Sequence, residues 1–135
     1  EGGCLMKPGL HQGYQEKMTV TVTEEMVASF DGKMIHPVLS TVSMVYYMEW
    51  VGRKVIEPFL EEGEEGIGAS INVRHRSPAP VGKTVTFVAT VKEWTPQKVV
   101  CDVIAEHDQA LVGESEFIQV IWPKEKLQAH IERMK

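Results

Sequence analysis

Two cysteines in 135 residues cannot build a disulfide framework. Cys4 lies in a leading stretch that reads as loose tail and Cys101 within an apolar run, so we expect a reduced, cytoplasmic setting. Long apolar runs are missing too. None approaches the roughly 18 residues that mark a membrane-crossing helix. There is also no excess of basic charge. Lys and Arg number 14 against 19 Asp and Glu, a formal net charge of −5. A surface of that sign repels nucleic-acid phosphate and anionic membrane, so neither is expected as a partner. The aromatics do not alternate with basic residues along any strand pattern, which disfavours a sheet that stacks bases.

Several ready-made chemistries are absent as well. His11, His36, His107 and His130 are widely spaced and form no HxH or HExxH pattern. With two isolated cysteines, no metal site is expected. The glycines of GEEGIGAS fit neither GxGxxG nor GxxxxGK, so no nucleotide loop is expected. No serine sits in a G-x-S-x-G elbow.

What is present is a change of hydrophobic period along the chain. EKMTVTVT alternates Met18, Val20 and Val22 against threonines and reads as a strand. TEEMVASF reads as a short helix, with Thr23 as N-cap and Glu24 and Glu25 in its first turn. DGK, residues 31–33, reads as a turn. A long helix follows from about Val42 to Glu57, capped by Ser40 or Thr41 and stopped by Pro58. Its apolar stripe is Val45, Met48, Gly52, Val55 and Phe59, widened by Met44, Val51 and Ile56, and its first half is apolar nearly all round.

EEGEEG then reads as a solvated acidic loop. Four period-2 segments follow: IGASINVRH, TVTFVATVKEW, VVCDVIAEH and ALVGESEFIQVIW, the last bent near Gly113. In the first of them Ala69, Ile71, Val73 and His75 share a face. Pro123 opens a short terminal helix with Leu127 and Ile131 on one side. The order predicts an α+β domain, a five-stranded antiparallel sheet with four strands in meander, covered by one long helix. Such a monomer leaves a sheet edge and the apolar half of the helix undercovered. A dimer joined through the strand of Ile71 and Val73 would bury both.

Three residues in this pattern can carry chemistry. Glu49 stands among Tyr46, Met48 and Trp50, where a carboxylate is either paired or shifted by desolvation; an ion pair with Arg53 one turn on is the plain alternative. His75 lies on the apolar strand face, as a satisfied rim residue or as an acid–base group beside Glu49. Thr41 is either the helix cap or a hydroxyl aimed into the same cleft, where free helix N–H groups can stabilise an oxyanion. Ser40 competes for both roles and is a candidate for binding substrate.

The segments MKPGL, VLSTVSMVYYMEW, PFLEEGEEGIGASINVRH, PVG and KEKL resemble the hotdog-fold acyl-CoA thioesterases, in particular the fluoroacetyl-CoA thioesterase-like group. The resemblance runs from about Met6 to Leu127. It implies a hotdog fold, the sheet wrapped around the long central helix, in a single domain spanning 1–135. Independently of the resemblance, EGGCL at residues 1–5, ahead of an MKPG start, reads as an expression leftover. The resemblance implies Thr41, Glu49 and His75 as catalytic residues, Gly68 beside the substrate pocket, and no cofactor or metal. It implies a homodimer, with pairing into tetramers open, and water attacking an acyl-CoA or another acyl thioester. Arg74, Arg76, Lys83 and Lys124 are available for the CoA phosphates. Two departures from the group stand out: Tyr46 and Tyr47 replace smaller residues, and SEFIQVIW lacks an arginine. The alternatives from other classes are a non-catalytic acyl-CoA binding module and a structural dimer with a filled core.

Overall fold

The computed structural model describes residues 5–135; Cys4 and most of the supposed expression leftover lie outside them. Strand β1 (Gln15–Thr21) forms where the alternation predicts it. The short helix expected over TEEMVASF does not form. Glu24–Met26 makes one 3-10 turn, and the chain then extends into β2 (Val27–Phe30), which pairs with β3 (Lys33–Leu39). The cause is the Asp31–Gly32 pair, with φ of 55° and 76°. Two-residue hairpins need positive φ at both central positions, and Asp-Gly supplies it at low cost. That turn holds the segment extended despite an acidic first turn suited to a helix.

Helix α1 (Thr41–Ile56) begins at Ser40, whose hydroxyl oxygen accepts the Ser43 N–H at 3.0 Å. Pro58 lies in the 3-10 turn Glu57–Phe59 that closes it. The buried face is Met44, Met48, Val51, Gly52, Val55 and Ile56. Strands β4 (Glu64–His75), β5 (Thr84–Thr95), β6 (Lys98–His107) and β7 (Ala110–Pro123) follow, then helix α2 (Lys124–Arg133). The sheet order is β1-β5-β6-β7-β4 with every pair antiparallel. The meander therefore holds for β5, β6 and β7 only. Strand β1 occupies the outer side of β5, from Gln15 opposite Thr90 to Thr21 opposite Thr84. That leaves β4 the far edge, beside β7.

The acidic stretch is not all loop. Its second half opens β4, and Glu64 is buried. Its carboxylate accepts the N–H groups of Leu5, Met6 and Glu61 at 2.7, 3.1 and 2.9 Å, which offsets the cost of burying the charge.

A β-bulge interrupts β4 between Gly68 and Ser70. The displaced residue is Ala69, which is exposed instead of sharing the face of Ile71 and Val73. Bulges re-aim side chains. Here Gly66 and Gly68 before the bulge, and Ile71, Val73 and His75 after it, all face α1. On its other side β4 has no neighbour among the described residues, so the strand expected at a dimer joint is an edge strand.

Two measurements test this packing. Ser40→Ala removes the helix cap and should cost about 1 kcal/mol in urea denaturation, whereas Thr41→Val should change stability far less. Gly52→Ala gains about 1 kcal/mol of helix propensity. Its new methyl, however, lands in the Phe117 ring, and overpacking of a tight core costs about 1–3 kcal/mol. The net expected effect is destabilising.

Candidate active site

The site is built where α1 crosses the bulged edge strand. Because Ser40 supplies the cap, the Thr41 hydroxyl is free of that task. It shares a 2.8 Å hydrogen bond with Nδ1 of His75. The first-turn N–H groups of Thr41 and Val42 have no intrahelical partner; those of Ser43 and Met44 go to Ser40. A cleft of about 430 Å³ adjoins this end, walled by Val27 to Phe30 of β2 and by Ser40 to Ser43. Ser40 thus lines the cleft while its hydroxyl serves the cap.

His75 is partly buried at the end of β4, opposite Gly113. Burial disfavours its imidazolium and lowers its pKa below 6.5. At neutral pH the ring is uncharged and can take a proton. Cys101, the one cysteine among the described residues, is buried, and burial with Asp102 beside it pushes its thiol up to about 12.

Glu49 departs from the sequence expectation. It is exposed, not buried among its aromatic neighbours, and it makes no ion pair with Arg53. Arg53 instead holds Glu65 at 2.6 Å, Glu57 at 3.4 Å and the Gly66 carbonyl at 2.9 Å. The Glu49 carboxylate has no hydrogen-bond partner among the described residues. It lies over Gly68, where a Cβ would stand 3.1 Å from Oε2. Gly68 is therefore beside the acid, at the mouth of a second cleft of about 420 Å³ formed by α1, β4 and β7.

One chain does not assemble the three residues. Eight helix positions separate Thr41 from Glu49, about 12 Å along the axis. Thr41 and His75 meet at one end of the crossing, and Glu49 waits at the other. Sequence reasoning also missed most of the walls of the second cleft: Tyr46, Trp50 and Arg53 on α1, Gly66 on β4, and Phe117 and Gln119 on β7. The visible signal was Gln119, a polar residue on the apolar face of FIQVI. Of the cations offered for phosphate, Arg76 is paired with Glu114 and Lys83 with Asp108. Arg74 and Lys124 have no ion pair among the described residues.

Comparison with known proteins bears on this arrangement. Residues 22–125 match the family described as fluoroacetyl-CoA-specific thioesterase. The fluoroacetyl-CoA thioesterase of Streptantibioticus cattleyicolor is 30% identical over 94 residues, covering 70% of this chain and 68% of that protein. A Thermus thermophilus hypothetical protein, a thioesterase superfamily member, superposes with a TM-score of 0.89 at 39% identity, covering 94% of each chain. A hot-dog-like protein from Thermanaerovibrio acidaminovorans shares the fold, with a TM-score of 0.85 at 21% identity over 95% of this chain and 93% of its own. With its five-stranded sheet around α1, the chain belongs to the fluoroacetyl-CoA-specific thioesterase family of hotdog proteins.

Proposed function

We propose that this protein hydrolyses acyl-CoA thioesters, with a site completed by two copies of the chain. The observation that carries the reading is the Thr41–His75 hydrogen bond at an open cleft, set against an unpartnered Glu49 at the unpaired edge of the sheet. Antiparallel pairing of two β4 strands about a two-fold axis between Ile71 and Asn72 sets Gly68 of one chain opposite the partner's His75. The carboxylate over Gly68 then faces the partner's Thr41 and His75. The same contact covers Tyr46 and Trp50, which are 58% and 45% exposed in the single chain. The working form is a homodimer in a reduced, cytoplasmic setting, one domain per chain.

The chemistry follows from these groups. Neutral His75 takes a proton from water as the water oxygen attacks the thioester carbonyl. Glu49 of the facing chain stabilises the imidazolium so formed. Thr41 orients the ring, and the first-turn N–H groups hold the oxyanion. Collapse breaks the C–S bond. The acid leaves with the water oxygen, and the thiolate takes the proton held by His75. Gly68 lets the substrate carbon approach Glu49. Arg74 and Lys124 are the free cations for the nucleotide phosphates.

Glu49→Gln should lower kcat/KM at least 100-fold, about 2.7 kcal/mol of transition-state stabilisation, in a thiol-release assay. His75→Ala should do the same. Mixing the two variants should restore about a quarter of the wild-type rate after random re-pairing, because one of two sites in each mixed dimer keeps both groups. A mixture as inactive as its parents would place both groups in one chain and overturn the shared site.

The pH dependence has a definite sign. Burial lowers the His75 pKa below 6.5, so below that pH the unfolded chain binds a proton that the folded chain resists. This contribution makes stability fall as pH drops through the window beneath 6.5 and leaves it unaffected above. The facing carboxylate acts the other way, favouring the imidazolium. The His75 ring, followed by NMR, should therefore titrate at lower pH in Glu49→Gln than in the wild-type dimer. Identical titration in both would remove Glu49 from its neighbourhood.

A further inference from the structure

The cleft beside Glu49 has more structure than water attack on a short acyl chain requires. Its helical wall is Tyr46, Trp50 and Arg53, spaced one turn apart on α1. The opposite wall is stripped of side chains at two positions on one strand face, Gly66 and Gly68. That bare stretch spans about 7 Å of extended backbone. A side chain at Gly66 would run into Ile56, and one at Gly68 would stand 3.5 Å from the Phe117 ring. The floor is Phe117, 3% exposed, and Gln119, 2% exposed. The space is therefore a slot, flat on one side and aromatic on the other. At about 420 Å³ it falls within the range of sites for small organic molecules, roughly 300–1,000 Å³. A two-carbon acyl group would leave most of it empty.

Gln119 adds a direction. Its amide Nε2 donates to the Gly52 carbonyl at 3.0 Å, which fixes which way the amide points. Its Oε1 has no partner among the described residues, and the residue borders the slot. A buried amide with one end committed to the helix presents the other to whatever lies on the floor. A ligand bearing a hydroxyl or amino group there would satisfy it, and one lacking that group would cover the acceptor without pairing it.

Resting on the thioesterase reading above, we propose that the acyl group is a planar ring. It lies on the bare Gly66–Gly68 strand between Trp50 and Phe117, with its carbonyl at Glu49 and a hydrogen-bond donor on its far edge reaching Gln119. A flat ring fills such a slot, with one face on the bare strand, the other against Trp50, and the Phe117 ring at the floor. A flexible chain loses rotamer freedom in the same space and fills it less well.

The test compares acetyl-CoA, hexanoyl-CoA, benzoyl-CoA and hydroxybenzoyl-CoA by thiol release. The expected order puts both aromatic thioesters at least about ten-fold above the two aliphatic ones in kcat/KM, with hydroxybenzoyl-CoA first. Trp50→Ala, at a position half-exposed in the single chain, should erase most of the aromatic preference in protein that still sediments as a dimer. Gln119→Leu should narrow the ratio of hydroxybenzoyl to benzoyl thioester by roughly ten-fold. Hydrolysis with acetyl-CoA or hexanoyl-CoA at or above the aromatic pair would overturn the inference and leave the hydrolase intact. If no thioester is cleaved, the hydrolase reading fails instead, and binding decides the slot. Benzoyl-CoA, but not CoA alone, should then quench tryptophan fluorescence in the wild type and not in Trp50→Phe. Equal quenching by both, or none, would overturn it.

Discussion

The distance between α1 and the sheet is set at one glycine. Gly52 lies against the Phe117 ring with no room for a methyl between them, and the candidate site residues of α1 are placed by that approach. One turn before it, Met48 is fully buried and turns Glu49 outward toward the edge strand. One residue after it, Arg53 reaches the Gly66 carbonyl and fastens the start of β4 to the helix. Gln119, across the sheet face, bonds the Gly52 carbonyl itself. A larger residue at position 52 would lift the helix and loosen all three. Interiors are packed too closely to absorb such a change locally.

The second constraint is the edge. Strand β4 carries the bulge, the two glycines of the slot and His75, and like β1 at the far side of the sheet it has one side unpaired among the described residues. An unpaired edge invites association, and proteins usually blunt it with charge or shortness. Here the strand is 12 residues long and its exposed side chains include Ser70, Asn72 and a single cation, Arg74. The helix face above it is aromatic. Edge, exposed rings and an unpartnered carboxylate fall together, and the proposed pairing through that edge would answer all three with one contact. The bulge matters to this geometry. Without it, the strict alternation of β4 could not turn both Gly68 and His75 toward α1, because seven residues separate them.

Much of this was legible in the sequence. The period of 3.6 in Met44, Met48, Val51 and Val55 gave the helix and its buried face. The period of 2 gave β5, β6 and β7 nearly to the residue. The segments around Thr41, Glu49 and His75 resembled the family to which the chain belongs. The hairpin of β2 and β3 was missed because the acidic first turn was weighed above Asp31–Gly32, a turn signal whose backbone demand is stricter. The place of β4 was missed because pairing across a sheet depends on which edge is already taken, and β1 takes it from far away in the chain. The bulge at Ala69 left no mark in the pattern, since IGASINVRH alternates well enough to hide one displaced residue.

Glu49 shows the deeper reason. A carboxylate between Met48 and Trp50 invites an argument from burial, yet the helix at that point is buried on one side only, and the acid takes the other. Its neighbours in sequence are aromatic because they line the same open face, not because they enclose it. Local composition reports what kind of surface a helix carries. It does not report whether that surface is closed by the same chain, by a second copy or by a ligand. Tyr46, Glu49, Trp50 and Arg53 form one stripe, and the chain itself covers little of it. The two aromatics of this stripe are costly to leave in water, and with the acid and the clamped arginine beside them the stripe suits a polar molecule with an apolar body. The sequence records this as a helix apolar on too many sides, and the structure turns the excess into a wall.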